Sequence, residues 1–176
     1  GFPQRRIVGM AGALDSARFC YFLATELGVC VDDIHCVLMG GHGDDMVPLP
    51  RFTTVGGVPI AQFLSETKIA ELVERTRKGG IEVVNLLGYR AYYAPAAGAV
   101  KMAEAILRDT RGVFSCSAYC RDEYEVGGYF VGVPAVLGRR GVEWVIELDL
   151  DDSEKQQFGE SLAHVKELVA DVDRML

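Results

Sequence analysis

His42 is a candidate proton carrier in this sequence. It lies between two glycines in residues 40–48 and follows an apolar run at residues 34–39, a pattern that predicts a tight turn after a strand. Histidine is the only side chain whose unperturbed pKa places its charge change near neutral pH, so it can accept and donate a proton there. The same pattern is typical of an ordinary surface turn, and the stretch by itself leaves both interpretations open.

Asp15 and Arg18 add two opposite charges at a spacing of three residues. They lie in a segment whose apolar residues recur at helical spacing and which ends naturally at Gly28. Residues three apart share one face of a helix. The two side chains can therefore pair with each other, as an ordinary surface ion pair, or both point into a site.

The rest of the chain alternates helical and β-rich patterns. Ser65 precedes a charged helix that Gly79 and Gly80 are expected to close. The other predicted helices cover residues 81–87, 89–107 and a stretch opening at Asp151, and the predicted strands cover residues 6–9, 34–39, 46–49, 52–55, 112–119, 128–137 and 142–147. We predict an α+β domain, with a mostly antiparallel twisted sheet packed with long helices.

Composition limits the classes of partner. A length of 176 residues fits one domain, and the net charge of −7 argues against nucleic acid or an anionic membrane as a partner, because both would require a basic face. No apolar stretch approaches the length of a membrane-spanning helix. Five cysteines without a CxxC pair favour reduced thiols and a cytoplasmic protein, and no metal site is expected.

Several other charged residues are assigned ordinary structural roles. His35 and His164 are expected to be structural or exposed, and the charged cluster over residues 71–78 is expected to be a solvated helix face.

Two linked signatures carry a resemblance to a known family. Leu14-Asp15-Ser16-Ala17-Arg18-Phe19, followed after one strand by Gly41-His42-Gly43-Asp44, resembles the signature pair of the lactate and malate dehydrogenase family. The similarity extends over essentially the whole chain, including Phe130 to Ala135 and the last helix. It implies the C-terminal domain type of that family.

The resemblance implies a role for each of the three polar residues. His42 would be the acid and base, Asp15 its carboxylate partner, and Arg18 the anchor of the substrate carboxylate. The chemistry agrees, because oxidation of a 2-hydroxy acid requires a group that takes the hydroxyl proton. A carboxylate beside the ring fixes the tautomer, and the arginine fork binds a carboxylate by two parallel hydrogen bonds.

The resemblance also implies NAD as cofactor, although the dinucleotide fingerprint is missing. No Gly-x-Gly-x-x-Gly follows a strand and opens a helix. We therefore expect residues 1–176 to be the substrate-binding and catalytic domain, with the N-terminal NAD-binding domain absent from this chain. Met10 would lie near the nicotinamide, or it is simply a core methionine.

The segments at residues 46–49 and 92–97 are more similar to bacterial malate dehydrogenases of lactate-dehydrogenase-like type. We therefore expect malate and oxaloacetate as substrates, with Ala91 lining the pocket. Gly88-Tyr89-Arg90 departs from the small-residue loop of the family pattern. Lactate or another 2-hydroxy acid is the alternative substrate, and an isolated non-catalytic assembly domain is the alternative function. A homodimer or homotetramer is expected.

Overall fold

A three-stranded antiparallel sheet forms the centre of the fold. We describe residues 1–175 of the chain in a computed structural model. Strands β6 (Gly112–Cys120), β7 (Tyr129–Gly138) and β8 (Gly141–Val145) follow one another in space as they do in sequence. Gly112 of β6 pairs with Leu137 of β7, and Cys120 pairs with Tyr129. The predicted antiparallel sheet is confirmed.

Five short strands make up two smaller sheets. They are β1 (Ile34–His35), β2 (Leu38–Gly40), β3 (Met46–Pro48), β4 (Thr54–Val55) and β5 (Val58–Pro59). β2 and β3 form an antiparallel hairpin, and β1, β4 and β5 form a separate antiparallel sheet. The predicted strand at residues 34–39 is therefore two strands, because β1 pairs with β4 whereas β2 pairs with β3.

Four α-helices within the described residues cover these sheets. They are α1 (Ala13–Leu27), α2 (Glu66–Leu87), α3 (Tyr93–Leu107) and α4 (Asp152–Met175). One apolar cluster joins the large sheet and the β2–β3 hairpin to α3 and α4, with Met39, Val133 and Phe158 among its buried members. A second joins α1, α2 and β1 through Phe19, Leu23 and Leu72. The α+β class is confirmed.

The hairpin that carries His42 needs a glycine at its first corner. Gly40 ends β2 with φ of 74°, a left-handed conformation that glycine adopts without steric cost. A Cβ at this position would also lie 2.5 Å from the carbonyl oxygen of Asp45 and 2.8 Å from Oγ of Ser161. The sharp turn and its close packing fix where the chain leaves β2, and with it the start of the loop that carries His42.

The predicted end of a helix at Gly79 and Gly80 is wrong. Helix α2 continues through both glycines to Leu87 and ends at Gly88, whose φ is 76°. Gly79 is buried, and a Cβ there would lie 3.0 Å from Cδ of Arg18. The glycine is present because another side chain packs against the helix at this point, and the helix does not stop there.

Three other predicted boundaries also differ. Residues 6–9 form no strand, since Gln4–Arg6 is a single 3-10 turn and only Gly9 bridges to Ser117. Residues 52–55 give only the two-residue β4. Helix α3 begins at Tyr93 and not at residue 89, because Gly88 ends α2 in a left-handed conformation and residues 88–92 form the connection.

Within residues 1–175, no helix combines the length and the apolar character that crossing a membrane requires.

The continuity of α2 predicts that Gly80→Ala stabilises the protein. Gly80 has a helical backbone, and a Cβ there would meet no atom within 4 Å. Replacing such a helix-interior glycine by alanine gains about 0.5 to 1 kcal/mol, which raises Tm by about 1 to 4 °C in a chain of this size.

Gly79→Ala is the matched control, and thermal unfolding followed by circular dichroism is the measurement. This variant should gain less or lose stability, because its Cβ presses on the Arg18 stem. A fall in Tm for Gly80→Ala would show that the helix is not continuous at this position.

Candidate active site

A single buried carboxylate lies at the centre of the predicted cluster. Asp15 has 0% of its side chain exposed, and each of its two oxygens has a hydrogen-bond partner. Oδ1 accepts a hydrogen bond from Nη1 of Arg18 at 2.9 Å, and Oδ2 lies 2.7 Å from Nδ1 of His42. The structure therefore brings the three predicted residues together, although His42 is 27 residues away from Asp15 in the chain.

Local structure explains how Asp15 reaches this position. It lies in the first turn of α1, where the positive end of the helix dipole favours a negative charge. Helix α1 packs against the segment between β1 and β2, where Cys36 Sγ donates a hydrogen bond to the carbonyl oxygen of Ser16. The chain then continues through β2 and turns at Gly40, which brings His42 back over the helix.

The carboxylate of Asp15 determines both the charge and the orientation of His42. Its hydrogen bond raises the pKa of His42 above the usual value, its negative charge adds to this effect, and burial and the Arg18 charge oppose it. An ionised carboxylate only accepts hydrogen bonds, so Nδ1 must be the donor and carry a proton. In the neutral ring Nε2 is then the basic nitrogen.

The other edge of the His42 ring is open. Its side chain is 57% exposed, and no described residue forms a hydrogen bond with Nε2. The ring thus combines a fixed, protonated inner nitrogen with an accessible basic outer one. This is the arrangement that a general base requires, since the group that loses the proton must come within hydrogen-bond reach.

Arg18 is held on the opposite side of the same carboxylate. Its side chain is 16% exposed, and its stem packs over Gly79 of α2. Of the two alternatives left open by the sequence, pairing with Asp15 is the one observed. Only Nη1 is used in that contact, and Nε and Nη2 form no hydrogen bond with a described residue. These two nitrogens can still bind a carboxylate by parallel hydrogen bonds.

Three side chains that sequence reasoning did not select hold the loop that carries His42. Oγ of the buried Ser161, on α4, accepts a hydrogen bond from the backbone N–H of Gly41 at 2.9 Å. Arg77, on α2, donates to the carbonyl oxygens of Asp44 and Met46. Nδ1 of His164 lies 2.7 Å from Oδ1 of Asp45.

These contacts correct one prediction. Arg77 was placed with a solvated helix face, but it is half-buried and bonded to the loop. The periodicity of α2 marks which face is polar, but it contains no sign that another segment of chain passes over that face. His164 is exposed and structural, as predicted, and His35 is exposed in β1.

The two remaining predicted site residues, Met10 and Ala91, lie in different parts of the fold. Met10 is half-buried just before α1, and a Cβ at Gly98 of α3 would lie 2.8 Å from its sulfur, so it packs against α3 and the core. Ala91 is half-buried in the connection between α2 and α3. Their roles toward cofactor and substrate stay predictions.

A small cavity beside the loop is poorly suited to an anionic ligand. It has a volume of about 120 Å³ and lies between the loop, α2 and α4. The charged residues that line it include three carboxylates, of Asp44, Asp45 and Glu160, and the guanidinium of Arg77. Because Arg77 already binds loop carbonyls, the acidic side chains dominate the charge there.

Comparison with known proteins identifies the class. The family model described as lactate/malate dehydrogenase, alpha/beta C-terminal domain, matches residues 12–175. The chain therefore belongs to the lactate/malate dehydrogenase family, as the resemblance of the signatures around Asp15 and His42 predicted.

Malate and lactate dehydrogenases are among the individual proteins that resemble this chain. The malate dehydrogenase of Rhodopirellula baltica is 54% identical over 177 residues, covering 100% of this chain and 56% of that protein. The solved malate dehydrogenase of Salinibacter ruber is 52% identical with a TM-score of 0.97, over 99% of this chain and 57% of that one. The Cryptosporidium parvum lactate dehydrogenase complexed with lactic acid and nicotinamide adenine dinucleotide is 44% identical with a TM-score of 0.93, over 98% and 56%. The chain thus spans little more than half the length of these relatives.

Removing the charge of Asp15 should lower the pKa of His42. The carboxylate raises that pKa through its hydrogen bond and its charge, and Asp15→Asn removes the negative charge. NMR titration of the His42 ring protons is the measurement, and Asp45→Asn is the matched control, because Asp45 contacts His164 instead.

The sign for stability follows from the same shift. A raised histidine pKa contributes stability that is complete below the unfolded pKa of about 6.5 and is lost as pH rises through the folded value. The native protein should therefore be more stable than Asp15→Asn by a margin that shrinks as the pH rises from the unfolded pKa of His42 to its folded pKa. An unchanged His42 pKa in Asp15→Asn would contradict the assigned contact.

Proposed function

We propose that this chain is the substrate-binding and catalytic half of an NAD-dependent malate dehydrogenase, which interconverts malate and oxaloacetate. The observation that carries the proposal is the buried Asp15 carboxylate, bonded on one side to Arg18 and on the other to His42. A non-catalytic assembly domain has no need for a buried charge with an exposed imidazole attached to it, because such a charge is costly to bury.

His42 is the proton acceptor in the oxidation direction. Nε2 takes the proton of the malate hydroxyl while Nδ1–H stays bonded to Asp15, and the imidazolium that forms is stabilised by that carboxylate. In the reduction direction the same nitrogen returns the proton to the carbonyl oxygen of oxaloacetate. The raised pKa of His42 favours a ring that can hold this proton near neutral pH.

Arg18 binds the carboxylate next to the reacting carbon. Its Nε and Nη2 supply two parallel hydrogen bonds, while Nη1 remains on Asp15. One carboxylate thereby positions both the group that binds the substrate and the group that moves its proton. This shared support fixes the hydroxyl near Nε2, and such orientation is a large part of catalysis.

The hydride needs an acceptor, which NAD provides when it is bound. This chain offers one candidate contact to that cofactor. Met10 is half-buried beside the start of α1 and would contact the nicotinamide, but no glycine-rich dinucleotide turn follows a strand here. We assign the remaining contacts to an N-terminal NAD-binding domain of the whole protein.

Malate is favoured over lactate by the chain's relatives. The curated relatives from Rhodopirellula baltica and Salinibacter ruber are malate dehydrogenases, and each is more than half identical to this chain. Lactate or another 2-hydroxy acid is the second candidate, because the Cryptosporidium parvum lactate dehydrogenase shares the fold at 44% identity. Ala91 would line the pocket beside the substrate.

The proposal also includes the cellular location of the protein and its assembly with other domains and subunits. The five cysteines are free thiols, which fits a cytoplasmic protein. Exposed aromatic and aliphatic side chains along α2, α3 and their connection would be covered by the N-terminal domain and by a second subunit in a homodimer or homotetramer. These include Ile81, Leu86, Tyr89, Tyr92 and Tyr93.

His42→Asn should remove most of the activity of the full-length protein. General acid–base catalysis by one side chain contributes about 10²- to 10⁴-fold, so kcat should fall by that factor while the protein stays folded. The measurement is NADH oxidation with oxaloacetate. His35→Asn is the matched control, because His35 is exposed in β1 and should leave kcat unchanged. Equal activity of the two variants would exclude proton transfer by His42.

Arg18→Lys should raise KM for oxaloacetate by about 10- to 100-fold. Lysine keeps the positive charge but loses the planar guanidinium that binds a carboxylate by two hydrogen bonds. Hydrogen bonds to charged groups contribute about 1.5 to 3 kcal/mol, which sets the size of the expected effect. Arg75→Lys is the control, because Arg75 forms an exposed ion pair with Glu82.

Comparing oxaloacetate with pyruvate in the same assay tests which substrate the protein prefers. A higher kcat/KM for pyruvate would favour the lactate alternative.

A further inference from the structure

Two cysteine sulfurs lie in direct contact next to the candidate active site. Sγ of Cys20, on α1, is 2.8 Å from Sγ of Cys36, which lies between β1 and β2. A disulfide bond is about 2.05 Å long, so the two sulfurs need to approach by only about 0.8 Å to be bonded. The other three cysteines have no comparable neighbour among the described residues, and Cys30 is exposed.

We propose that Cys20 and Cys36 form a reversible redox site, which closes to an intramolecular disulfide when a peroxide reaches it. The contact between the two sulfurs carries this proposal, together with the partial exposure of both residues. It does not depend on the reaction proposed above, because the thiol pair takes no part in hydride or proton transfer.

The two sulfurs differ in their electrostatic surroundings. Cys36 Sγ donates to the carbonyl oxygen of Ser16 at 3.1 Å and also lies against Cys20. The single S–H of Cys36 can turn from Ser16 to Cys20, and this hydrogen bond lowers the pKa of Cys20. The positive charge of Lys101 on α3 acts in the same direction, and burial opposes both effects. The pKa of Cys36 is raised by its contact with Cys20 and by burial. Cys20 is therefore the nucleophile and Cys36 the resolving thiol.

The reaction balances with hydrogen peroxide as the oxidant. The Cys20 thiolate attacks one peroxide oxygen, the O–O bond breaks, and hydroxide leaves to take up a proton as water. This step gives a sulfenic acid at Cys20. Cys36 then attacks the Cys20 sulfur and loses its proton, and a second water leaves as the S–S bond forms. Two thiols have lost two electrons and two protons, and one peroxide has become two waters.

The disulfide would act on the element that carries the candidate active site. Cys36 can no longer donate a hydrogen bond to Ser16, because its proton is lost. Ser16 follows Asp15 directly in the first turns of α1, and the cross-link ties that helix to the segment leading into β2 and the His42 loop. Redox state is thereby coupled to the relative position of Asp15 and His42.

The test is to map the linkage in the full-length protein after peroxide treatment. Remaining thiols are alkylated, and the protein is digested without reduction. Cleavage at Glu26 and at Asp32 and Asp33 puts Cys20, Cys30 and Cys36 into three separate peptides. We expect the Cys20 and Cys36 peptides to be joined, with the mass of two lost hydrogens, and Cys30 to be alkylated. Dithiothreitol should separate them.

Cys20→Ser and Cys36→Ser should each abolish the linked peptide, whereas Cys30→Ser, the matched control, should retain it. Closing a loop of 16 residues should also raise the Tm of the oxidised protein by several degrees above that of the reduced form, an increase absent in Cys36→Ser. Alkylation of both Cys20 and Cys36 under conditions that oxidise Cys30, or a linkage of either to Cys30, would overturn the proposal.

Discussion

The site depends on one interaction, the two-sided hydrogen bonding of the buried Asp15 carboxylate. A charge removed from water is stabilised only where donors replace the lost water, and here Arg18 and His42 are those donors. Leaving a buried charge without a partner costs about 3 to 5 kcal/mol. An arrangement of the chain that moves the β2–β3 hairpin away from α1 while Asp15 stays buried therefore leaves the carboxylate with Arg18 alone.

The remaining structure can be understood as support for that contact. Helix α2 passes close to α1 at Gly79, where the absence of a side chain makes room for the Arg18 stem. The loop of His42 is held from two further directions, by Arg77 of α2 and Ser161 of α4. The exposed imidazole is thus attached to a well-bonded backbone, which lets it face solvent on one edge without losing its position on the other.

Sequence patterns predicted the fold class and the three central residues, but not what supports them. Asp15, Arg18 and His42 could be found because their residue types and order match a family signature. Ser161 and Arg77 could not be found in this way, since their contacts join segments 120 and 31 residues apart. Gly79 was wrongly predicted to end a helix. A glycine is present there because the Arg18 side chain of another helix packs against this position. Local periodicity contains no information on such contacts.

The most direct test is to determine the protonation state of the two His42 ring nitrogens. In the neutral ring, the Asp15 contact requires the proton on Nδ1 and leaves Nε2 as the base. Nitrogen-15 NMR of histidine-labelled protein, recorded at a pH above the pKa of His42, measures this tautomer. We expect a ring protonated at Nδ1 and free at Nε2. A ring protonated at Nε2, or a rapidly exchanging mixture of both forms, would contradict the account.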